Sequence, residues 1–375
     1  MSSDSNQSPA SDNSYANSGV DYSAMDPIKV LAQQAAADTA SNLSQTNAKE
    51  VAGIRGESAY VWEEPDAYRA LVVEGLGTKN LVADEMRKTT GKTYYDSLAQ
   101  DTVAMIVNDL VVVGAIPQVV NAYFAIGDSN WMKDDVRAGD LIRGWAAACD
   151  AIGATWGGGE TPTLKGVIEP STIDLGGSAM GVIHDKANLV MGEKLADGDA
   201  IVLIESSGIH ANGITFVRSL FEKDPSIYTQ PLPNGTLFGE ALLSPTHLYV
   251  NLVRAMQQAH LDIHYMANIT GHGWRKIMRA AQDFTYELHT IPVVPEEFDF
   301  MQSKSGVDDS EMYGNFNMGA GYAIYLPKDQ ATKIVEIASQ HGLQATIAGE
   351  VKTGPKQVII TPKHITFSED TLGVR

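Results

Sequence analysis

The sequence predicts two α/β or α+β domains, and three observations carry that prediction. The chain has 375 residues, enough for two separate cores. Strand-like and helix-like segments are mixed in both halves rather than segregated. A boundary near 185–198, marked by the polar, turn-forming segments His184-Asp-Lys186 and Ala196-Asp-Gly-Asp199, separates the halves. The expected units are a disordered tail at 1–18, an N-terminal domain at 19–185 and a C-terminal α/β domain at 186–375.

Taken in order, residues 1–18 are Ser, Asn, Asp and Ala with almost nothing to bury. Residues 25–50, rich in Ala and Gln, predict a helix. The stretch 51–65 mixes Gly53 and Gly56 with aromatics and predicts no element. Ala70 to Val73 reads as a buried strand that stops at Glu74-Gly-Leu-Gly-Thr-Lys79. An apolar run over 101–115 follows, then a strand at 118–125 and an amphipathic helix at 133–151 that ends near Gly153. Strands are expected at 154–160, entering a glycine loop, and at 174–183. In the second half, 200–204 is a strand, 205–212 a loop and 213–221 a helix. A long helix is expected over 245–260, with Thr246 as its N-cap. Segments 322–326, 330–341, 345–351 and 358–361 read as strand, helix, strand, strand, and Gly342 stops the helix.

Composition narrows the function classes. With 27 basic against 46 acidic residues, the formal charge of -19 argues against general nucleic-acid binding and against anionic membranes. A phosphorylated substrate remains open, because a small site can be locally positive or recruit a cation. Cys149 is the one cysteine. No intrachain disulfide can form, and a multi-cysteine metal site is excluded, which fits a reducing cytoplasm. No run approaches the roughly 18 apolar residues of a membrane helix, and the N-terminus shows no secretory pattern.

The 101–115 run is the most informative segment. It is apolar but carries Asn108 and Asp109 at its middle, and buried carboxylates need a partner or a metal. In a helix, Asp101 and Asn108 fall on one face with Asp109 beside them. The competing reading is a buried helix with one hydrogen-bonded polar step. Glu74 ends a strand and precedes Gly75 and Gly77, which allow close backbone approach to a ligand. Glu160 follows three glycines and precedes Thr161. Hard oxygen ligands on separate elements suit Mg²⁺ with phosphate oxygens and water. Each carboxylate could equally cap a helix or pair with a lysine. Ser206-Ser-Gly-Ile-His210-Ala-Asn212-Gly213 joins a strand to a helix, where free N–H groups suit an anion. His210 could then donate to a phosphate or move a proton; the alternative is a tight turn with Asn212 as the cap. Asn268 to Gly273 and Glu311 to Gly319 resemble ligand loops, or turns with core packing. P-loop, dinucleotide, zincin and nucleophile-elbow motifs are missing.

In order, these segments resemble the aminoimidazole ribonucleotide synthetase (phosphoribosylformylglycinamidine cyclo-ligase) family. The likeness runs through Ser18-Gly-Val-Asp21, Gly75-Leu-Gly-Thr-Lys79, Val103 to Val112, Gly158-Gly-Glu-Thr161, Ser206 to Gly213, Leu243-Ser-Pro-Thr246, Ile269-Thr-Gly271, and Glu311-Met-Tyr313 with Phe316-Asn317. It covers nearly the whole chain after the tail. The resemblance implies a two-domain fold and a homodimer paired through the N-terminal sheets. ATP would bind where the domains meet, and the substrate would be a small nucleotide. The implied reaction phosphorylates the amide oxygen of formylglycinamidine ribonucleotide with ATP and Mg²⁺; a nitrogen then attacks, and phosphate leaves as the imidazole closes. By match, Asp109 and Glu74, with Asp101, would hold Mg²⁺. Gly75, Gly77, Thr78, Lys79, Asn108, Glu160, Thr161, Asn212 and Gly213 would line the nucleotide, and Asp109 and His210 would be catalytic.

The sequence departs from the family pattern at three places. Glu74 replaces an Asp, the glycine-rich segment at 53–60 has fewer glycines, and Asn268 replaces a His, with His272 displaced into the glycine run. A superfamily phosphoryl-transfer enzyme with another substrate, or a non-catalytic nucleotide-binding homologue, are the competing expectations.

Overall fold

The computed structural model describes residues 22–222 and 224–372. The tail expected at 1–18 and the Ser18 to Asp21 match lie outside the described residues.

Two sheets organise the chain. The first has six strands: β1 (Lys49–Glu50), β2 (Tyr60–Glu63), β3 (Tyr68–Gly75), β4 (Ile116–Ile126), β5 (Thr155–Glu160) and β6 (Ile173–Ile183). Their order is β1-β2-β3-β6-β4-β5, antiparallel except for β4 with β5. The second has seven: β7 (Ala200–Glu205), β8 (Tyr265–Asn268), β9 (Phe284–Leu288), β10 (Ala320–Leu326), β11 (Ala345–Thr353), β12 (Gln357–Ile360) and β13 (Ile365–Ser368). Their order is β13-β12-β9-β11-β7-β10-β8, with β9 and β12 parallel. The helices are α1 (Tyr22–Ala37), α2 (Lys79–Thr90), α3 (Tyr95–Val111), α4 (Asp135–Ile152), α5 (Ile214–Phe221), α6 (Phe238–Leu242), α7 (Val250–Gln258), α8 (Glu296–Ser305), α9 (Asp309–Asn315) and α10 (Ala331–Gln340). This is the expected two-domain α+β fold.

Helix α3 sits at the centre. Apart from its first turn it is buried almost all round, as expected of a helix that is apolar on every side. It packs on β3 and β6 and against α4. Glycines in β6 set the spacing: a Cβ on Gly177 would lie 2.2 Å from the Asn121 carbonyl and 3.0 Å from Ile106 Cδ1. The period-two alternation of β3 turns Ala70 and Val72 toward α3 and leaves Leu71 and Val73 on the opposite face. That face is uncovered, with Val73 72% exposed and Tyr123 39% exposed.

The helix expected over 25–50 ends at Ala37 and is followed by a 3₁₀ segment, Ala40–Thr46. The hydroxyls of Thr39, Ser44 and Thr46 bond to carbonyls three residues back, in competition with the helical ladder. The helix expected over 245–260 begins only at Val250. Its first turn is diverted, because the N–H groups of Thr246 and Tyr249 go to Asp101 and Asn108 of α3. Helix α2 and the short strands β1, β2, β8, β9 and β13 had no clear sequence signal. Among the described residues, no helix is long and apolar enough to cross a membrane.

Candidate functional site

The polar residues of α3 fall on the seam between the two halves. Asp101 Oδ1 accepts both the N–H and the hydroxyl of Thr246, and its Oδ2 lies 2.8 Å from Lys79 Nζ. The Lys79 ammonium also donates to the carbonyls of His210 (2.9 Å) and Ser244 (3.0 Å). Both charged side chains are fully buried. Burial pulls the ammonium below its ordinary value and pushes the carboxyl above its own, while their mutual attraction opposes both shifts. One turn on, Met105 Sδ accepts from Asn212 Nδ2, and Asn108 then bonds the His247 carbonyl and the Tyr249 N–H. Of the expected metal and nucleotide residues, Asp101 has both oxygens engaged in a closed site, Lys79 divides its ammonium between Asp101 and the second domain, and Asn108 bonds the second domain through both its polar atoms.

Asp109 and Glu74 stand differently. Glu74 closes the inner row of β3, and Asp109 leaves α3 near its C-terminal end. Asp109 Oδ1 accepts from Asn268 Nδ2 at 2.7 Å, across the seam. Burial first, and the Asp109 charge second, push the Glu74 carboxyl up to about 7. The second domain answers with two cations. Segment Gly273–Met278 forms a 3₁₀ turn carrying Lys276, with Arg279 at its end. Burial and Arg279 bring the Lys276 ammonium down to about 8, opposed by Asp109, Glu74 and Glu57. Arg279 donates to the Gly56 carbonyl and to Ser58 Oγ, and Tyr265 donates to Glu57. The stretch Gly53 to Ala59 is thereby laid over the second domain beside the cluster. Sequence reasoning missed Glu57, Lys276 and Arg279. The available signal was a basic group, Arg275, Lys276 and Arg279, directly after a glycine-punctuated segment in an acidic chain.

The remaining expected residues divide. Thr78 Oγ1 and Thr215 Oγ1 are 3.0 Å apart, so the loop of Gly75, Gly77 and Thr78 meets the start of α5, where Asn212 and Gly213 lie. These five residues are brought together. Glu160 and Thr161 are not: β5 is three strand spacings from β3, about 14 Å, and both are exposed. His210 lies inside its own loop. It is buried, its Nε2 accepts the Ser207 N–H, and its ring neighbours are His247 and Tyr249. Burial holds the imidazole well below its ordinary value, hence neutral. It props the 206–213 loop through the Ser207 N–H. The loop has two further supports. Asn317 Nδ2 donates to the Gly208 carbonyl, and buried Glu297 accepts the Ile209 N–H. A separate group, Glu287, His289 and Glu350, lies on the second sheet, with Lys352 paired to both carboxylates.

The AIR synthase related protein N-terminal domain family matches residues 56–183, and the corresponding C-terminal domain family matches 196–361. A phosphoribosylformylglycinamidine cyclo-ligase of Methanococcus maripaludis strain C6 is 32% identical over 340 residues, covering 90% of this chain and 92% of its own. One from Methanosarcina barkeri strain Fusaro is 34% identical over 271 residues, covering 72% and 76%. Among solved structures, the HypE–HypF complex aligns with TM-score 0.60 at 19% identity, over 85% of this chain and 94% of that one. AaThiL complexed with AMPPCP and TMP aligns at 0.59 and 16%, over 84% and 90%. Thermotoga maritima PurL complexed with ATP aligns at 0.56 and 16%, over 84% and 46%.

Two predictions follow from the seam and its loop. Asp101→Ala leaves a buried ammonium uncompensated and lowers unfolding free energy by about 3–5 kcal/mol in urea titration, whereas the Lys79→Met/Asp101→Leu double variant recovers most of it. Glu297 is pushed up to about 7, mainly by burial. The folded state therefore holds its proton more tightly than the unfolded chain. Its stabilising contribution is complete below about pH 4.5 and is lost as pH rises through about 7. Glu297→Gln removes that slope, by up to about 3 kcal/mol in the wild-type-minus-variant difference.

Proposed function

The chain belongs to the phosphoribosylformylglycinamidine cyclo-ligase family, and on that footing we propose that it closes formylglycinamidine ribonucleotide to aminoimidazole ribonucleotide at the expense of ATP. The observation that carries the reading is the convergence of Glu74 and Asp109 at the domain seam, opposite Lys276 and Arg279. Burial and the Asp109 charge raise the cost of ionising Glu74, and a cation between the two carboxylates relieves it, so the donor set fits Mg²⁺. Mg²⁺ held there would supply positive charge to the phosphate oxygens of the nucleotide. ATP binding is supported by the fold-mates complexed with ATP and AMPPCP.

In the reaction, the amide oxygen attacks the γ-phosphorus and ADP departs. A substrate nitrogen then attacks the activated carbon, and inorganic phosphate leaves as the ring closes. The contribution of this chain is positional and electrostatic. Asn268 fixes one oxygen of Asp109. The Gly75 to Thr78 loop and the start of α5 present backbone N–H groups to anionic oxygen. Arg279 and Tyr265 hold the 53–59 stretch over the cluster. The uncovered sheet face of Leu71, Val73 and Tyr123 supports a homodimer paired through the first sheets.

Purified protein with ATP, Mg²⁺ and formylglycinamidine ribonucleotide is expected to release ADP and the aminoimidazole product. Asp109→Asn is expected to cut turnover by at least about 100-fold with circular dichroism unchanged. Unaltered activity in that variant removes Asp109 from the mechanism, and nucleotide binding without product favours a non-catalytic homologue. Val73→Arg is expected to convert the dimer to a monomer in light scattering. A dimer that persists in this variant places the interface elsewhere.

A further inference from the structure

The 3₁₀ turn Gly273–Met278 is tied down at nearly every residue. Trp274 Nε1 donates to the Asn317 carbonyl at 2.7 Å, and Tyr325 donates to the Ile277 carbonyl at 2.6 Å. Arg275 donates to the Gly314 carbonyl, and Arg279 just beyond is held by Gly56 and Ser58. Trp274, Ile277 and Met278 are completely buried. Lys276 is the exception. Among the described residues, no hydrogen-bond acceptor and no carboxylate within 4 Å engages its ammonium. It is nevertheless half-buried and within electrostatic range of Glu57, Glu74 and Asp109. The turn is thus held in place a few residues after Asn268, which bonds Asp109, and it carries one unspent cation on that side of the seam.

A nucleoside triphosphate brings about four negative charges to a place that already holds Glu74 and Asp109. A single Mg²⁺ offsets only part of that charge. Arg279 is committed to the 53–59 stretch, and Lys79 is sealed in the seam. We infer that Lys276 is the protein's own phosphate-binding cation, donating directly to the terminal oxygens of the nucleotide triphosphate. This rests on the nucleotide reading above and deepens it. A lysine ammonium is a compact point charge with three donors, suited to a triphosphate tail without fixed bidentate geometry. The same charge repels a divalent ion approaching Glu74 and Asp109 when no nucleotide is present.

The test uses the full-length protein, with AMPPCP binding measured calorimetrically in EDTA and Mn²⁺ binding measured by electron paramagnetic resonance without nucleotide. Lys276→Gln is expected to weaken metal-free AMPPCP binding by about tenfold or more, the worth of one charge-assisted hydrogen bond. It is expected to tighten Mn²⁺ binding in the same preparation, and Lys276→Arg is expected to restore much of the nucleotide affinity. A purely charge-balancing lysine would shift Mn²⁺ affinity and leave AMPPCP within twofold of wild type, which overturns the proposal. Wild-type binding of AMPPCP only in the presence of Mg²⁺ overturns it as well, and spares the nucleotide site. No AMPPCP binding by wild type under either condition overturns both readings.

Discussion

The structure depends on a buried ion pair, Lys79 with Asp101, that ties the two domains together. Lys79 opens α2 and Asp101 lies in α3, both within the first domain, and each uses its remaining bonds on the second. Removing two charges from water is costly, and the gain in stability over an apolar pair is small or negative. What the arrangement supplies is direction. An ammonium that needs the carbonyls of His210 and Ser244, and a carboxylate that needs the N–H of Thr246, are satisfied in one relative placement of the domains. Asn108 repeats the logic two turns later with His247 and Tyr249.

Fixing the seam also places the candidate cluster. Asp109 lies beside Asn108 on the same helix, so the contact that orients the domains also brings Asp109 to Asn268. Glu74 comes from β3 and is paired with Gly177 of β6, where the missing side chain lets Asn121 of β4 and Ile106 of α3 approach. The opposing cations stand on a turn held by Trp274 and Ile277 in the second core. Neither domain alone contains both signs of charge at this place.

Much of this was legible in the sequence. The alternation of β3, the apolar α3 and most strands of the first sheet follow from periodicity, and Asp101 with Asn108 was correctly placed on one helical face. The error lay in what that face meets. A buried carboxylate in an apolar helix signals a partner but not which kind, and here Lys79, only 22 positions upstream, was the partner. The same ambiguity holds for His210: its loop reads as an anion cradle, but the sequence does not show that the imidazole is turned inward onto the Ser207 N–H. The start of α7 was unreadable for a related reason: Thr246 looks like an N-cap, but its donors are claimed by a helix in the other domain. Lys276 and Arg279 were missed because the basic group they form with Arg275 names no partner until the fold sets it near Glu74 and Asp109.

Amide hydrogen exchange at Thr246 and Tyr249 tests the central claim most directly. If the seam is an integral part of one cooperative structure, these two N–H groups exchange only through global unfolding, with a free energy equal to that from urea denaturation. Exchange through a local opening, several kcal/mol easier than global unfolding, would mean that the domains part on their own. The active cluster would then not be held by the Asp101 knot.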